Sequence, residues 1–252
     1  MILDDIQALD FVPARRFSNI GSHLLTTSRY PFLYQRITKC GCTYLRHLVW
    51  DMEHGIQPPV DLGQEAVRYP EPTAMHLSNQ EVRAATHKFV VIRHPVRRFM
   101  SLYYDKILGS PKPMGPFVDR LGIDHHAGQN IESHRRNCVK ALNFISRQRR
   151  NRSMSKVNWH WKPQYVRLGQ LRGYGFSALQ LENLGTQLTD YLQDLVPDIK
   201  QRMQAIKVRN ISRKPVQPQE ILTDGLIDRI QNIYRADWKI WQEVNDFWQA
   251  QK

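Results

Sequence analysis

Phe32-Leu33-Tyr34-Gln35-Arg36-Ile37-Thr38-Lys39-Cys40-Gly41-Cys42-Thr43 is a short β-prone run ending in a tight turn that contains one glycine. Beyond it Tyr44, Leu45, Leu48, Val49 and Met52 recur at helical spacing. The stretch therefore predicts strand, turn and helix. A second copy of the pattern begins at Lys88-Phe89-Val90-Val91-Ile92-Arg93, a continuous apolar run of the kind a parallel sheet buries on both faces. Pro95 follows at a position that a first helical turn tolerates, and Phe99, Leu102, Tyr103 and Ile107 carry the helical period onward. Two strand–turn–helix units in one chain predict an α/β fold built on a parallel sheet.

Outward from these units the chain is less sharply marked. Residues 1–30 read as an irregular lead-in closed by Tyr30-Pro31. Residues 55–73 carry four prolines and residues 109–128 carry three, so both predict loops. Residues 131–150 predict a helix with a basic C-terminal half, running into a solvated connection over 147–156. Phe176 to Leu181 is a third strand candidate, with a helix after it through Leu195. Residues 207–219 are polar and predict a loop, and two helices, 220–234 and 237–249, close the chain. We expect one domain over 1–252, with the helices of 220–250 packed on it.

Composition limits the function classes. Hydrophobic residues make up 41% of the 252 and charged residues 23%, which is ordinary for a folded protein. Lys and Arg outnumber Asp and Glu by 36 to 23, a formal charge of +13 that calls for an anionic partner. No apolar run approaches the roughly 18 to 20 residues of a membrane span. Met1 to Asp10 has three Asp and no basic residue, unlike a signal peptide, so a cytoplasmic address is expected. Three cysteines, Cys40, Cys42 and Cys138, form no even framework and predict free thiols.

The chemistry concentrates at the two junctions. A turn between a buried strand and a helix aims free backbone N–H groups at one point, and the helix dipole adds positive potential there. Gly41 permits close approach, Thr43 offers a hydroxyl and Lys39 a full charge, which suits phosphate or sulfate; an ordinary βα turn with a surface lysine would look the same. The nucleotide-triphosphate motif G-x-x-x-x-G-K-[ST] is absent, because here the lysine precedes the single glycine. At the second junction Arg93 ends a strand where open α/β sheets bind ligands, and Ser101 stands eight residues on. Several cations at a helix start are poor electrostatics unless an anion sits among them.

Taken together the two stretches resemble the PAPS-dependent sulfotransferases, PAPS being 3′-phosphoadenosine 5′-phosphosulfate. Ile37 to Thr43 resembles their 5′-phosphosulfate loop, and Phe89 to Pro95, continuing to Ser101, resembles their 3′-phosphate element. The likeness is greater to the carbohydrate enzymes of the chondroitin type (sulfotransferase family 2), through Lys-Cys-Gly-Cys-Thr, His160-Trp161 and the late Tyr234-x-x-Asp237. It runs from about Leu33 to Trp241. The resemblance implies an α/β, P-loop-like three-layer domain with a central parallel sheet flanked by helices. It implies Lys39 beside the bridging oxygen of the donor, with Cys40, Gly41, Cys42, Thr43 and Tyr44 around the 5′-phosphate and Arg93 and Ser101 on the 3′-phosphate. Arg209, Ser212 and Lys214 would belong to a late basic loop closing over the nucleotide. The absence of the Golgi members' N-terminal anchor suits a bacterial-type cytoplasmic enzyme.

The implied donor is PAPS, the product adenosine 3′,5′-bisphosphate, and no metal is required. The acceptor would be a hydroxyl on a glycan or glycolipid; peripheral membrane contact is compatible with the charge, and no specific nucleic acid is expected. Histidine is the natural base near neutral pH. Two of the ten stand out: His76, upstream of the Arg93 strand, and His160, in Asn158-Trp159-His160-Trp161-Lys162-Pro163-Gln164. The choice between them stays open. Trp159 and Trp161 can stack on a sugar or fill a core. The competing classes are a nucleic-acid-binding module, suggested by the charge and the basic stretch at 135–156, and a P-loop kinase, which the motif order disfavours.

Overall fold

The computed structural model describes residues 1–10, 24–56, 77–109, 121–151, 157–206 and 214–251. After two 3-10 turns (Leu3–Asp5 and Gln7–Leu9), the elements in chain order begin with β1 Leu24–Leu25, β2 Phe32–Gln35, α1 Cys42–His54, α2 Asn79–Ala84, β3 His87–Ile92 and α3 Pro95–Leu102. The chain continues with α4 Ile131–Asn151, α5 Gln164–Leu171, β4 Ser177–Gln180, α6 Leu184–Leu192 and α7 Ile199–Ala205. Three helices end it: α8 Pro218–Ile221, α9 Asp224–Ile233 and α10 Arg235–Gln249. All three expected strands and the principal expected helices are present. The described parts of the proline-rich expectations lie at their edges; most of 55–73 and 109–128 falls outside the described residues.

The chain forms two compact units. The first comprises Met1–Arg93, Gln164–Asn210 and Lys239–Lys252; the second comprises His94–Pro163 and Ile211–Trp238. The first holds a four-stranded sheet in the order β1-β2-β3-β4. Strands β2, β3 and β4 are parallel, with Tyr34 beside Phe89 and Val90 beside Ala178, and β1 is antiparallel at the edge. The C-terminal ends of the three parallel strands therefore share one edge of the sheet.

Alternation along the strands explains the two-sided burial, because successive side chains point to opposite faces. Phe32, Tyr34, Phe89, Val91 and Leu179 pack with Leu45 and Leu48 of α1 and Leu188 of α6. Leu33, Val90, Ile92 and Ala178 pack instead with Leu168 of α5, Val244 of α10 and the N-terminal Leu3. The N-terminal residues are thus not merely an irregular lead-in. Leu3, Ile6 and Leu9 are fully buried, the Leu3 N–H donates to the Phe176 carbonyl at 2.7 Å, and the Ala178 N–H donates to the Met1 carbonyl at 2.8 Å. This segment satisfies backbone groups beside β4 that would otherwise form an open sheet edge. Its three apolar anchors follow the three-residue period of 3-10 turns, over a stretch too short to stand out in sequence as an element.

In the second unit α3 runs on into six π-helical residues, Tyr103–Leu108. The core joins Phe99, Tyr103, Leu142, Trp161, Ile230 and Tyr234. The helix α4 continues to Asn151, past the point where a solvated connection is expected. Arg135, in the basic stretch of α4, braces the fold. Its guanidinium donates to the Ile221 carbonyl at 3.2 Å and the Glu220 carbonyl at 3.0 Å, at the end of α8.

Candidate active site

The turn between β2 and α1 has two residues in the left-handed region. Lys39 has φ 67° and Gly41 φ 76°, and Lys39 is the only non-glycine residue with positive φ among those described. A side-chain-bearing residue held there costs about 1–3 kcal/mol and persists where the surroundings enforce it. At Gly41 an added Cβ would also lie 2.6 Å from Leu181 Cδ1. Two left-handed residues with one between them bend the chain sharply out of β2, and the Cys40 N–H closes the turn on the Ile37 carbonyl at 3.2 Å. Helix α1 then starts with no side-chain cap and no acidic residue in its first turn, which leaves its leading amides oriented for an anion.

Arg93, one residue past β3, reaches this turn. Its Nη1 donates to the Lys39 carbonyl at 3.1 Å. Because β2 and β3 are adjacent parallel strands, their ends must emerge side by side, and the guanidinium spans the gap between them. The buried amide of Gln164, at the start of α5, locks the same place. Its Oε1 accepts from the Arg93 N–H at 2.9 Å and from Cys40 Sγ at 3.1 Å, and its Nε2 donates to the Arg93 carbonyl at 2.8 Å. Arg167, one turn further along α5, is held down to about 10 by burial and then by the like charge of Arg36.

Beside the turn lies an open cavity of about 400 Å³, within the range of small-molecule sites. Its walls include Tyr44 on α1, Gly185, Thr186 and Asp190 on α6, and Lys200 and Met203 on α7. The Tyr44 hydroxyl donates to the Met203 carbonyl at 2.8 Å, and burial raises that phenol to about 12. Arg202 fastens α7 by donating to the Asp51 carboxylate at 2.8 Å and pairing with Asp198 at 2.9 Å. These carboxylates hold the Arg202 guanidinium well above its usual range.

The first unit thus brings Lys39, Cys40 and Arg93 into one constellation, with Gly41, Cys42, Thr43 and Tyr44 in the same turn and helix start. The second unit holds Ser101, half-buried on α3, the exposed Lys214, and His160. His76, Arg209 and Ser212 lie outside the described residues. At His160 one oxygen, Asn158 Oδ1, accepts the backbone N–H at 2.9 Å and faces ring Nδ1 at 2.9 Å. An oxygen already accepting the amide requires Nδ1 to donate as well, which puts the lone pair of the neutral ring on Nε2.

Two late motifs join in this unit. Tyr234 Oη donates to the Trp161 carbonyl at 3.0 Å, and Arg98, 3% exposed, donates to the Lys162 carbonyl at 2.9 Å. Tyr234 therefore latches the His160-Trp161 loop, and Trp161, 4% exposed, fills the core instead of offering a sugar platform. Trp159 is 49% exposed, with the Lys162 ammonium 3.9 Å from its ring centre.

Sequence reasoning misses Gln164, Arg167 and Arg98 as site-building residues. Gln164 stands inside the aromatic stretch, but a glutamine has no diagnostic chemistry until its partners, 71 and 124 residues away, are known. Cys40 and Cys138 are buried thiols and Cys42 a half-buried one. Among the described residues no helix is long and apolar enough to cross a membrane.

Comparison with known proteins agrees with this geometry. No curated protein and no solved structure matches the chain. The model of the sulfotransferase family matches residues 22–242, a span that includes both junctions, the His160-Trp161 loop and Tyr234. The chain belongs to the sulfotransferase family, in its family-2 group, and is a sulfuryl-transferring enzyme.

Proposed function

We propose that the protein transfers a sulfuryl group from PAPS to an acceptor hydroxyl by in-line displacement, and that its two compact units act as one P-loop-like, three-layer sulfotransferase domain. The observation that carries this reading is the hydrogen bond from the Arg93 guanidinium to the Lys39 turn. It joins a guanidinium, which matches phosphate geometry, to the turn that precedes the uncapped start of α1, and this supports a ligand phosphorylated at two positions. The donor set fits such a group: the uncapped start of α1 and the Arg93 guanidinium meet at one turn, and the cavity at Tyr44 offers an aromatic wall for a base.

When bound, PAPS supplies an activated sulfuryl group whose departure leaves negative charge on a phosphate. Lys39 and the α1 amides stabilise that charge in this reading, a contribution of about 3 to 4 kcal/mol per donor. Arg93 and Ser101 are the residues assigned to the 3′-phosphate, and Arg209, Ser212 and Lys214 are assigned to the nucleotide. The base is His76 or His160; in His160 the lone pair of the neutral ring lies on Nε2, the atom that would take the acceptor proton. Trp159 beside the Lys162 cation supports a carbohydrate or glycolipid acceptor, where an aromatic face meets a sugar ring.

Calorimetric titration with adenosine 3′,5′-bisphosphate tests the donor reading, and we expect binding that Lys39→Ala and Arg93→Ala weaken. No heat of binding to the unmodified protein would sink it. Incubation with radiolabelled PAPS and a cell extract then identifies which molecule gains sulfate.

A further inference from the structure

We infer that Gln164 is the positioning residue of the site, a buried amide clamp that sets the spacing between the Lys39 turn and Arg93. This rests on the donor reading above and names the part of the chain on which that site depends.

Three properties carry it. First, Gln164 is 2% exposed, so its amide must be satisfied internally, since burying an unpaired polar group costs about 1–3 kcal/mol. Second, its partners belong to both junctions. The Arg93 N–H and carbonyl are held by Oε1 and Nε2 at 2.9 and 2.8 Å, and Cys40 Sγ of the other turn meets Oε1 at 3.1 Å. Third, the orientation is unique. A flipped amide would turn its NH₂ toward the Arg93 N–H and its oxygen toward the Arg93 carbonyl, two repulsive contacts. Gripping both backbone groups of one residue fixes the direction in which the Arg93 side chain leaves the strand. The bond from Arg93 Nη1 to the Lys39 carbonyl then transmits that direction to the strained turn. Gln164 need not touch the donor: it holds the two groups that do.

Gln164→Met keeps most of the volume and removes all three hydrogen bonds, while Gln164→Asn keeps the amide but shortens its reach. Each variant is titrated with adenosine 3′,5′-bisphosphate, with melting temperature and amide hydrogen exchange recorded alongside. We expect affinity to fall about tenfold or more, the scale of roughly one lost hydrogen bond's worth of preorganisation. We also expect faster exchange confined to residues 37–43 and 91–93, with the strand interiors keeping their protection. Unaltered affinity in a folded variant, or unaltered exchange at both junctions, overturns the clamp. Failure of both variants to fold also overturns it, since Gln164 would then be a requirement of the fold rather than of the site. If the unmodified protein does not bind the bisphosphate, the donor reading falls, and the exchange measurement still judges the clamp separately.

Discussion

Among single residues, the turn at positions 39–41 shows stability given up for geometry. Lys39 holds φ 67° although a glycine would adopt it without strain. Lys39→Gly should leave stability unchanged or raise it by up to about 1 kcal/mol, while sulfuryl transfer drops about a hundredfold or more. Urea unfolding and a transfer assay measure the two effects, and a clear loss of stability would show that the lysine side chain supports the fold. Gly41→Ala should act oppositely. Left-handed strain and the approach to Leu181 Cδ1 should lower stability by about 1–2 kcal/mol, read by the same unfolding experiment.

Between elements, the packing of α7 on α1 shapes the cavity beside Tyr44. Arg202 donates to both the carbonyl and the carboxylate of Asp51 near the end of α1, and Asp51 is itself 7% exposed. Removing one partner leaves the other charge buried, the costly way to break such a pair. Arg202→Ala should therefore destabilise by about 2–4 kcal/mol and weaken nucleotide binding by loosening the Met203 wall. Equal melting temperatures would contradict this account of how α7 is held. The reach of sequence reasoning also differs by element. The cores of β2, β3 and β4 are legible because short apolar runs bounded by turn residues are local properties. The segment around Leu3, Ile6 and Leu9 is not, because its role is defined by Phe176 and Ala178, far along the chain.

Across the entire protein, charge and burial predict the response to solution conditions. Burial pushes the Cys138 thiol from 9.0 to about 12, and burial likewise raises Tyr44 and Tyr234 to about 12. These groups stay protonated in the fold above the pH at which the unfolded chain releases its protons. Their contribution is therefore complete below pH 9 and is lost as pH rises from about 9 toward 12. Arg167 and Lys88 work in the other direction, because burial lowers both, but the acids that burial raises outnumber them. Denaturation midpoints should fall steadily above pH 9, and Cys138→Ala should flatten the first part of that fall; an unchanged slope would remove Cys138 as its cause. With a charge of +13, sulfate should raise the melting temperature more than chloride at equal ionic strength, because an anion that binds the fold stabilises it by mass action.

Local sequence was enough to read the two strand–turn–helix junctions, the family and the cations at each strand end, because hydrophobic period, turn chemistry and motif spacing are all written within a dozen residues. It took the packed chain to show that Arg93 meets the Lys39 turn, that Gln164 clamps both junctions, and that Tyr234 latches the Trp161 loop. Those are hydrogen bonds between groups 54, 124 and 73 positions apart. A bond's partner is chosen by where the packed sheet and helices bring the chain back, which no local pattern encodes.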